Sequence, residues 1–320
     1  MKGIIGSTLL AAAAIACTPA WSQAWPAKSV HIIVPFAPAG VTDIMGRLLA
    51  QKFSEGLGQP FIVDNRAGAG GNIGMGAAAR AAPDGYTVLV SSSSYVVNPS
   101  LYAKSPYEYK DFAPVTLAAS TPNAVVVHPS VPAKNLQELI ALIRANPGKF
   151  SYSHAGTGTT PHLSGELFRL SFNLDLVNVP FNGAGPAVAA TVGNQVPISF
   201  VALPNVTPQV KSGQLRALGI AGAKRTPALP DVPTMAEAGA AGQEAETMQG
   251  VFVPAGTPRE VIDRLQRETV RVLALADVKE KLAALGFDAV GNTPEQFAAY
   301  LKVEIERWSR VVKAANIRVE

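Results

Sequence analysis

Two loops rich in small and hydroxyl-bearing residues are the parts of this sequence best suited to bind a small anion. The first, residues 36–43, follows a β-branched run that predicts a buried strand over Val30–Val34. The second, residues 157–162, follows strand-like residues 150–153. Each loop leads into an apolar pattern with helical spacing, so free N–H groups and the positive end of a helix dipole should face it. This arrangement predicts one anion site in each half of the chain.

Neither loop is basic, so the predicted sites rely on backbone N–H groups and hydroxyls. No Lys or Arg occurs between Ser29 and Gly46, which suits a small carboxylate better than a polyphosphate. Thr42 is expected to cap the first helix, and Thr159 and Thr160 can add hydroxyls in the second loop. Taken alone, the first loop could equally be an ordinary strand-to-helix turn. The candidate ligand-binding residues of the two loops are Phe36, Ala37, Pro38, Ala39, Gly40, Val41, Thr42, Asp43, Thr157, Gly158, Thr159, Thr160 and His162.

A serine run adds a third candidate region. It follows a strand predicted at residues 86–91. Ligands of parallel sheets bind beyond the C-terminal ends of the strands. Ser92, Ser93 and Ser94 are therefore candidate ligand contacts, and a solvated loop is the alternative.

Several candidate residues have a structural alternative. Asp43 could be a dipole partner in the first helical turn, or a ligand-side group that orders water or a loop N–H. His162 could contact the ligand or act as a local cap. Phe36 and Tyr95 could be walls of the binding site or part of the core.

Three other classes of site are not expected. His154 and His162 do not predict a metal site, since Gly and Pro lie between them and no third ligand is nearby. Residues 68–71 lack dinucleotide-binding spacing, because Ile73 occupies the third glycine position, so no cofactor is predicted. The 27 basic and 23 acidic residues are scattered, without a basic run interleaved with aromatic residues, and nucleic acid is not an expected partner.

Residues 1–24 have the composition of a secretory signal peptide. Lys2 precedes an apolar run over residues 4–16, which is too short to span a bilayer. Cleavage after Ala24 is predicted, although lipidation of Cys17 is an alternative. Cleavage would remove the only cysteine of the chain, so no disulfide or thiol chemistry is expected. The predicted location is the periplasm.

The rest of the chain alternates short apolar strands with helices, which predicts an α/β fold with a largely parallel sheet. A strand at residues 124–128 leads out of the first half, and the C-terminal helices have no matching strands. They should therefore pack back on the first half. The expected domains are a discontinuous lobe 1, residues 25–122 and 247–320, and lobe 2, residues 123–246, with the ligand cleft between them.

A series of short motifs occurs in one order along nearly the whole chain after residue 24. They are Pro35-Phe36 with Pro38, Gly40 and Asp43; Asn65-Arg66 with residues 68–74; residues 82–87; residues 156–159 with His162-Leu163; residues 179–181 with Gly183; and residues 215–218, 227–234 and 254–258. In this order and spacing the chain resembles the Bug (Bordetella uptake gene) family, the extracytoplasmic solute receptors of tripartite tricarboxylate transporters.

The resemblance implies a type II periplasmic-binding-protein fold that closes on a carboxylated solute. In that family one ligand carboxylate is held by the two facing loops, partly through water. The chain departs from the family pattern at Ala39, where a second Gly is usual, at Asn182, where Lys is frequent, and at Pro197 and Val201, where Asp is common. A plain or aromatic carboxylate is therefore favoured over a ligand that bears an ammonium group. The candidates to face the distal part of the ligand are Ser92, Ser93, Ser94, Asn182 and Val201, and Gly183 and Ala184 are further candidate ligand-binding residues.

The predicted function is a monomeric binding receptor that delivers a small carboxylate, a di- or tricarboxylate or an aromatic acid, to membrane permease subunits. A ligand sensor that feeds a membrane signalling protein is one alternative. The other is a periplasmic hydrolase or lyase. Against an enzyme, the sequence has no Gly-x-Ser-x-Gly, His-Glu-x-x-His or Walker motif.

Overall fold

This structure, a computed structural model, describes residues 25–314 and 317–318. The predicted signal peptide and Cys17 lie outside the described residues. The strands are β1 (Val30–Val34), β2 (Phe61–Asn65), β3 (Thr87–Ser91), β4 (Phe112–Val127), β5 (Phe150–His154), β6 (Leu176–Pro180), β7 (Ile198–Ala202), β8 (Arg216–Ile220), β9 (Glu246–Pro254) and β10 (Asp288–Ala289). The α-helices are α1 (Val41–Leu57), α2 (Asn72–Ala79), α3 (Ser94–Leu101), α4 (Leu136–Ala145), α5 (Thr160–Ser171), α6 (Ala184–Val192), α7 (Thr207–Lys211), α8 (Arg259–Ala274), α9 (Ala276–Leu285) and α10 (Pro294–Ala314).

The strands form one curled, mixed sheet in the order β2-β1-β3-β9-β4-β7-β5-β6, with β8 and β10 also paired to β4. Pairing is parallel in β2-β1-β3 and in β6-β5-β7. The long strands β4 and β9 join these two parts and pair antiparallel to all their neighbours. The prediction of a largely parallel sheet is therefore correct for each part but not for the join between them.

Strand β4 belongs to both parts of the sheet. It pairs with β9 from Phe112 to Pro122, and from Asn123 onward with β7 and β8. The sequence predicts only the second part, because two prolines interrupt the pattern in the first. The pairing register shifts after Pro114, which is how a residue without an N–H donor is accommodated in a ladder.

Apolar clusters cover both faces of the sheet in its β2-β1-β3 part. Ile32 and Val34 of β1 face Phe53 of α1 and Leu265 of α8, whereas Ile33 faces the cluster that includes α2, α3 and α10. This alternation is the period of two expected of a strand. Helix α8 packs against α1, and α10 against α3, so the C-terminal helices cover the first half of the chain as predicted.

Helix α3 has no counterpart among the elements predicted from the sequence. It begins at Ser94, directly beyond the serine run, and contains Pro99. Serines and a proline hide its helical pattern. Within the described residues, no helix is both long enough and apolar enough to cross a membrane.

Candidate ligand-binding cleft

A small cavity, here called the inner cavity, lies where the N-termini of α1, α5 and α6 converge. Its lining residues are mostly apolar or hydroxyl-bearing, and among the described residues that line it none is charged. They are Phe36, Gly40, Val41, Thr42, Ser92, Ala155, Thr159, Thr160, Pro161, Ala184, Ala202, Asn205 and Thr247.

The first predicted loop brings α1 to this cavity. The N-cap of α1 is Gly40 rather than Thr42, so the predicted capping role of Thr42 is wrong. The first N–H bonded inside the helix is that of Ile44, which donates to Gly40 O at 2.9 Å. The N–H groups of Val41, Thr42 and Asp43 precede it, and these are the groups that a helix N-terminus leaves for an external acceptor.

The side chain of Asp43 holds the first loop in its conformation. Its buried carboxylate accepts hydrogen bonds from Ala39 N at 2.9 Å, from Arg47 Nε at 2.9 Å and from Asn65 Nδ2 at 2.8 Å. Burial alone would raise the pKa of Asp43, but these hydrogen bonds, that of Arg47 first, outweigh it and lower the pKa. Of the two interpretations of Asp43, the structure favours the one in which it holds a loop N–H.

The bond from Ala39 matters because Ala39 adopts φ 66°. This left-handed conformation is unfavourable for a residue with a β-carbon. It is the position at which the resembling family usually has a second Gly. Ala37, Pro38 and Ala39 form the outer rim of the loop and do not line the inner cavity.

The second predicted loop brings α5 to the opposite wall. The helix begins at Thr160, one residue before the predicted start at Pro161, with Thr159 as N-cap. The hydroxyl of Thr159 donates to Gly156 O at 2.6 Å and is therefore committed to its own loop. Thr160 Oγ1 is buried and has no hydrogen-bond partner in the described part of the chain. Thr160, rather than Thr159, has the hydroxyl that is free for a ligand.

His162 lies in the first turn of α5 but does not line either cavity of the cleft. Its Nδ1 accepts the N–H of Gly158 at 3.3 Å, and its ring lies 4.6 Å from that of His154. Burial, followed by repulsion from His154, lowers the pKa of His162 to about 3. The structure therefore gives His162 the local capping role, as a neutral ring.

The third helix N-terminus belongs to the predicted loop at residues 182–184. Ala184 lines the inner cavity, and Gly183 precedes it with φ 127° against Ala37. Asn182 faces a different cavity, described below. Val201 is fully buried among apolar residues such as Val188 and lines neither cavity. Because side chains alternate along a strand, the neighbouring Ala202 faces the ligand side instead.

The three serines of the run, Ser92, Ser93 and Ser94, have different roles. Ser92 lines the inner cavity. Ser93 Oγ accepts the N–H of Met248 at 3.0 Å and so ties the end of β3 to β9. Ser94 Oγ lies 3.4 Å from Gly158 O, on the far side of the cleft.

Several lining residues are absent from the sequence-based candidates: Ala155, Pro161, Ala202, Asn205 and Thr247. Asn205 is the first polar side chain after β7, so the rule that ligands bind beyond strand ends could have found it. Thr247 pairs in register with Thr121 where β9 meets β4, and its hydroxyl donates to Asn123 Oδ1 at 3.0 Å. Only the pairing of distant strands brings Thr247 to the cavity.

A larger cavity, here called the outer cavity, adjoins the inner one and shares Phe36 and Ala155 with it. Its other lining residues are Ala67, Gly68, Ala69, Gly70, Gly71, Tyr102, Gly156, Thr157, Pro180, Phe181 and Asn182. Phe36 therefore stands between the two spaces, as the wall that the sequence suggested.

The two sides of the cleft touch each other. A β-carbon on Gly70 would overlap the carbonyl oxygen of Thr157, and the Tyr102 hydroxyl lies 3.5 Å from the same oxygen. A β-carbon on Gly183 would lie 3.0 Å from that of Ala37. The structure is therefore that of the closed cleft.

Two α/β lobes joined by long antiparallel strands, with a cavity between facing helix N-termini, define a periplasmic-binding-protein fold of the two-lobed type II class. The chain belongs to a family of that class, described as the tripartite tricarboxylate transporter family receptor, whose model matches residues 45–317. Both the predicted fold and the predicted family are confirmed.

Individual relatives agree with this assignment. The chain is 38% identical to the protein BugT of Bordetella pertussis over 323 residues, which covers 100% of this chain and 98% of BugT. The structure of Rpa4515 of R. palustris with adipate has a TM-score of 0.89 at 34% identity, over 92% of this chain and 99% of that one. MatC of Rhodopseudomonas palustris with bound malate gives 0.86 at 33% identity, over 90% of this chain and 100% of that one.

Proposed function

We propose that this receptor captures a small carboxylate in the periplasm, delivers it to the membrane subunits of a tripartite transporter and does not transform it chemically. The observation that supports the carboxylate most strongly is the convergence of the α1, α5 and α6 N-termini on one cavity without a charged lining residue among those described. A helix N-terminus favours an anion through its free N–H groups and its dipole. The relatives with adipate and malate support the same ligand class.

The energetics do not require a salt bridge. A hydrogen bond to a charged group contributes about 1.5–3 kcal/mol, and micromolar affinity corresponds to about 8 kcal/mol in total. The Thr160 hydroxyl and the free N–H groups of α1 can therefore hold one carboxylate after desolvation is subtracted.

The test is Thr160→Val, measured by isothermal titration calorimetry against a panel of mono-, di- and tricarboxylates. The variant should bind every ligand of the panel about tenfold or more weakly, since one bond to the shared carboxylate is lost. It should not destabilise the ligand-free protein, because the lost hydroxyl has no partner in the described structure. Thr269→Val is the matched control, because Thr269 is buried in α8 and bonds only Leu265 O there.

The proposal would be wrong if Thr160→Val left the affinity for every carboxylate unchanged, or if no member of the panel bound the wild type. Mass spectrometry of the ligand released from the complex tests the absence of catalysis. Recovery of the unchanged acid is expected, and a product acid would indicate an enzyme.

A further inference from the structure

We infer that only the carboxylate of the solute enters the inner cavity, and that the rest of the solute, here called its body, is bulky and lies in the outer cavity against Tyr102. An aromatic ring is a body of this kind. The inference rests on the proposed function, because it places the remainder of a solute whose carboxylate the inner cavity holds. It narrows the ligand from small carboxylates in general to acids whose body is about the size of a ring or larger.

The two cavities differ in the size of the group that each can hold. The free volume of the inner cavity is about 30 Å³, and that of the outer cavity is about 380 Å³. A water molecule needs about 10–15 Å³ of such volume, and a cavity of about 150 Å³ holds benzene. The inner cavity therefore has room for the two oxygens of a carboxylate and little more. The outer cavity lies within the range of about 300–1,000 Å³ that is typical of ligand pockets.

The inner cavity leads into the outer one beside Phe36. Among the described residues that line the inner cavity, only Ala155 and Asn205 are not buried, and Ala155 also lines the outer cavity. Phe36 lines both cavities, and its ring points toward Gly71 of the outer one, since a β-carbon on Gly71 would lie 3.1 Å from Phe36 Cζ. A chain that leaves the carboxylate site beside this ring therefore enters the outer cavity.

The walls of the outer cavity leave room for a bulky group and offer an aromatic surface. Most of its lining residues are Gly or Ala, and none of those described is charged. Tyr102 lines one side, and its hydroxyl lies 3.5 Å from Thr157 O on the other side of the cleft. The side chain of Tyr102 therefore spans the cleft at this cavity. Aromatic rings pack well against each other in offset or edge-to-face arrangements, so a ring of the solute can pack against it.

The outer cavity is open at its rim, where Ala67 and Ala69 are exposed. A polar or charged group at the far end of the body would therefore stay in water. Such a group needs no partner in the protein and contributes little to selection. The bulk of the body, rather than its terminal group, decides how tightly an acid binds.

The experiment compares three matched pairs of acids, the members of which differ by one ring: acetate with phenylacetate, propionate with 3-phenylpropionate, and butyrate with 4-phenylbutyrate. Calorimetric titration gives the ratio of the two dissociation constants for each pair. In the wild type, the aromatic member of at least one pair should bind about tenfold or more tightly than its partner, since burial of a ring of this size contributes at least that much. The three linker lengths allow for the distance between the two cavities.

Two variants at one position identify the wall involved. Tyr102→Ala removes the ring and should lower the ratio of the best pair about three- to tenfold, because an aromatic contact is lost. Tyr102→Phe keeps the ring and removes only the hydroxyl, so it should leave the ratio unchanged. A change in closure of the cleft alters both members of a pair equally, and the ratio therefore reports contact with the body. Circular dichroism and thermal melting of the ligand-free variants check folding.

Each outcome separates this inference from the proposed function. If small acids bind the wild type and respond to Thr160→Val, but no aromatic acid binds more tightly than its partner, the function stands and this inference is wrong. It is equally wrong if a folded Tyr102→Ala keeps the ratio of the best pair, or if Tyr102→Phe lowers that ratio as much. If no carboxylate of any kind binds, the proposed function itself fails.

Discussion

At the scale of single residues, the paired histidines show how the cleft wall is built. Burial lowers the pKa of both rings, and His154 further lowers that of His162. His154 lies 2.7 Å from Asn178 Oδ1 through Nε2 and accepts the N–H of Gly156. Both rings therefore hold the backbone of the 156–159 loop as neutral acceptors. The loop conformation depends on their remaining unprotonated.

A pH dependence of stability follows from His162. Its pKa is about 3 in the folded protein and 6.5 ordinarily, so between these values the unfolded chain binds the extra proton. The free energy of unfolding should therefore fall as the pH falls from 6.5, by about 1.4 kcal/mol per pH unit for each such histidine. His162→Asn, which keeps an acceptor for Gly158, should make this slope shallower in urea unfolding curves.

His31→Asn is the control, since His31 is exposed. Equal slopes in the wild type and in His162→Asn would show that His162 is not held neutral by the fold.

At the scale of elements, the sequence predicts what is local. The strand, loop and helix of β1–α1 and of β5–α5 follow from apolar periodicity and turn residues within a few positions of each other. The features it misses depend on the pairing of strands that are distant in the sequence, or on which of two neighbouring residues faces the cavity. The first part of β4 is stabilised by β9 despite Pro114, and Ala202 rather than Val201 lines the inner cavity because side chains alternate along β7.

Closure of the cleft should depend on the lack of a side chain at Gly70. In Gly70→Ala, the added β-carbon would overlap Thr157 O in the closed structure. Ligand affinity should therefore fall about tenfold or more, because the binding-competent closed state becomes rare. The measurement is calorimetric titration with the best acid of the panel.

Gly58→Ala is a matched control. Gly58 has φ 72°, close to the 62° of Gly70, but a β-carbon there would contact nothing. Both variants should lose about 1–2 kcal/mol of stability, because a β-carbon is unfavourable in the left-handed conformation, and only Gly70→Ala should lose affinity. A normal affinity in Gly70→Ala would mean that this contact is not needed for binding.

At the scale of the whole molecule, we propose that the lobes divide as the sequence suggested, into residues 25–122 with 247–320 and residues 123–246. The change of partners of β4 between Pro122 and Asn123 supports the boundary. The facing pair Thr121 and Thr247 would then lie at the hinge.

Hinge closure predicts a change of size in solution. The radius of gyration from small-angle X-ray scattering should fall when a saturating carboxylate is added, toward the value calculated for the closed structure. Gly70→Ala should remain at the larger radius. Identical radii for the free and the bound wild type would contradict an opening motion.

The position of β9 in the sheet has a consequence for the order of folding. This strand lies between β3 and β4, yet it begins only at Glu246. The chain is synthesised from its N-terminus, so β3 and β4 cannot be joined in one sheet until β9 has been made. Pairing between strands so distant in the sequence is slow. A chain truncated after residue 245 should show amide protection in β5–β7 but not in β1–β3. We therefore expect the first lobe to stay unfolded until most of the chain has been synthesised, and this would keep the polypeptide in the unfolded form that a secretion channel requires.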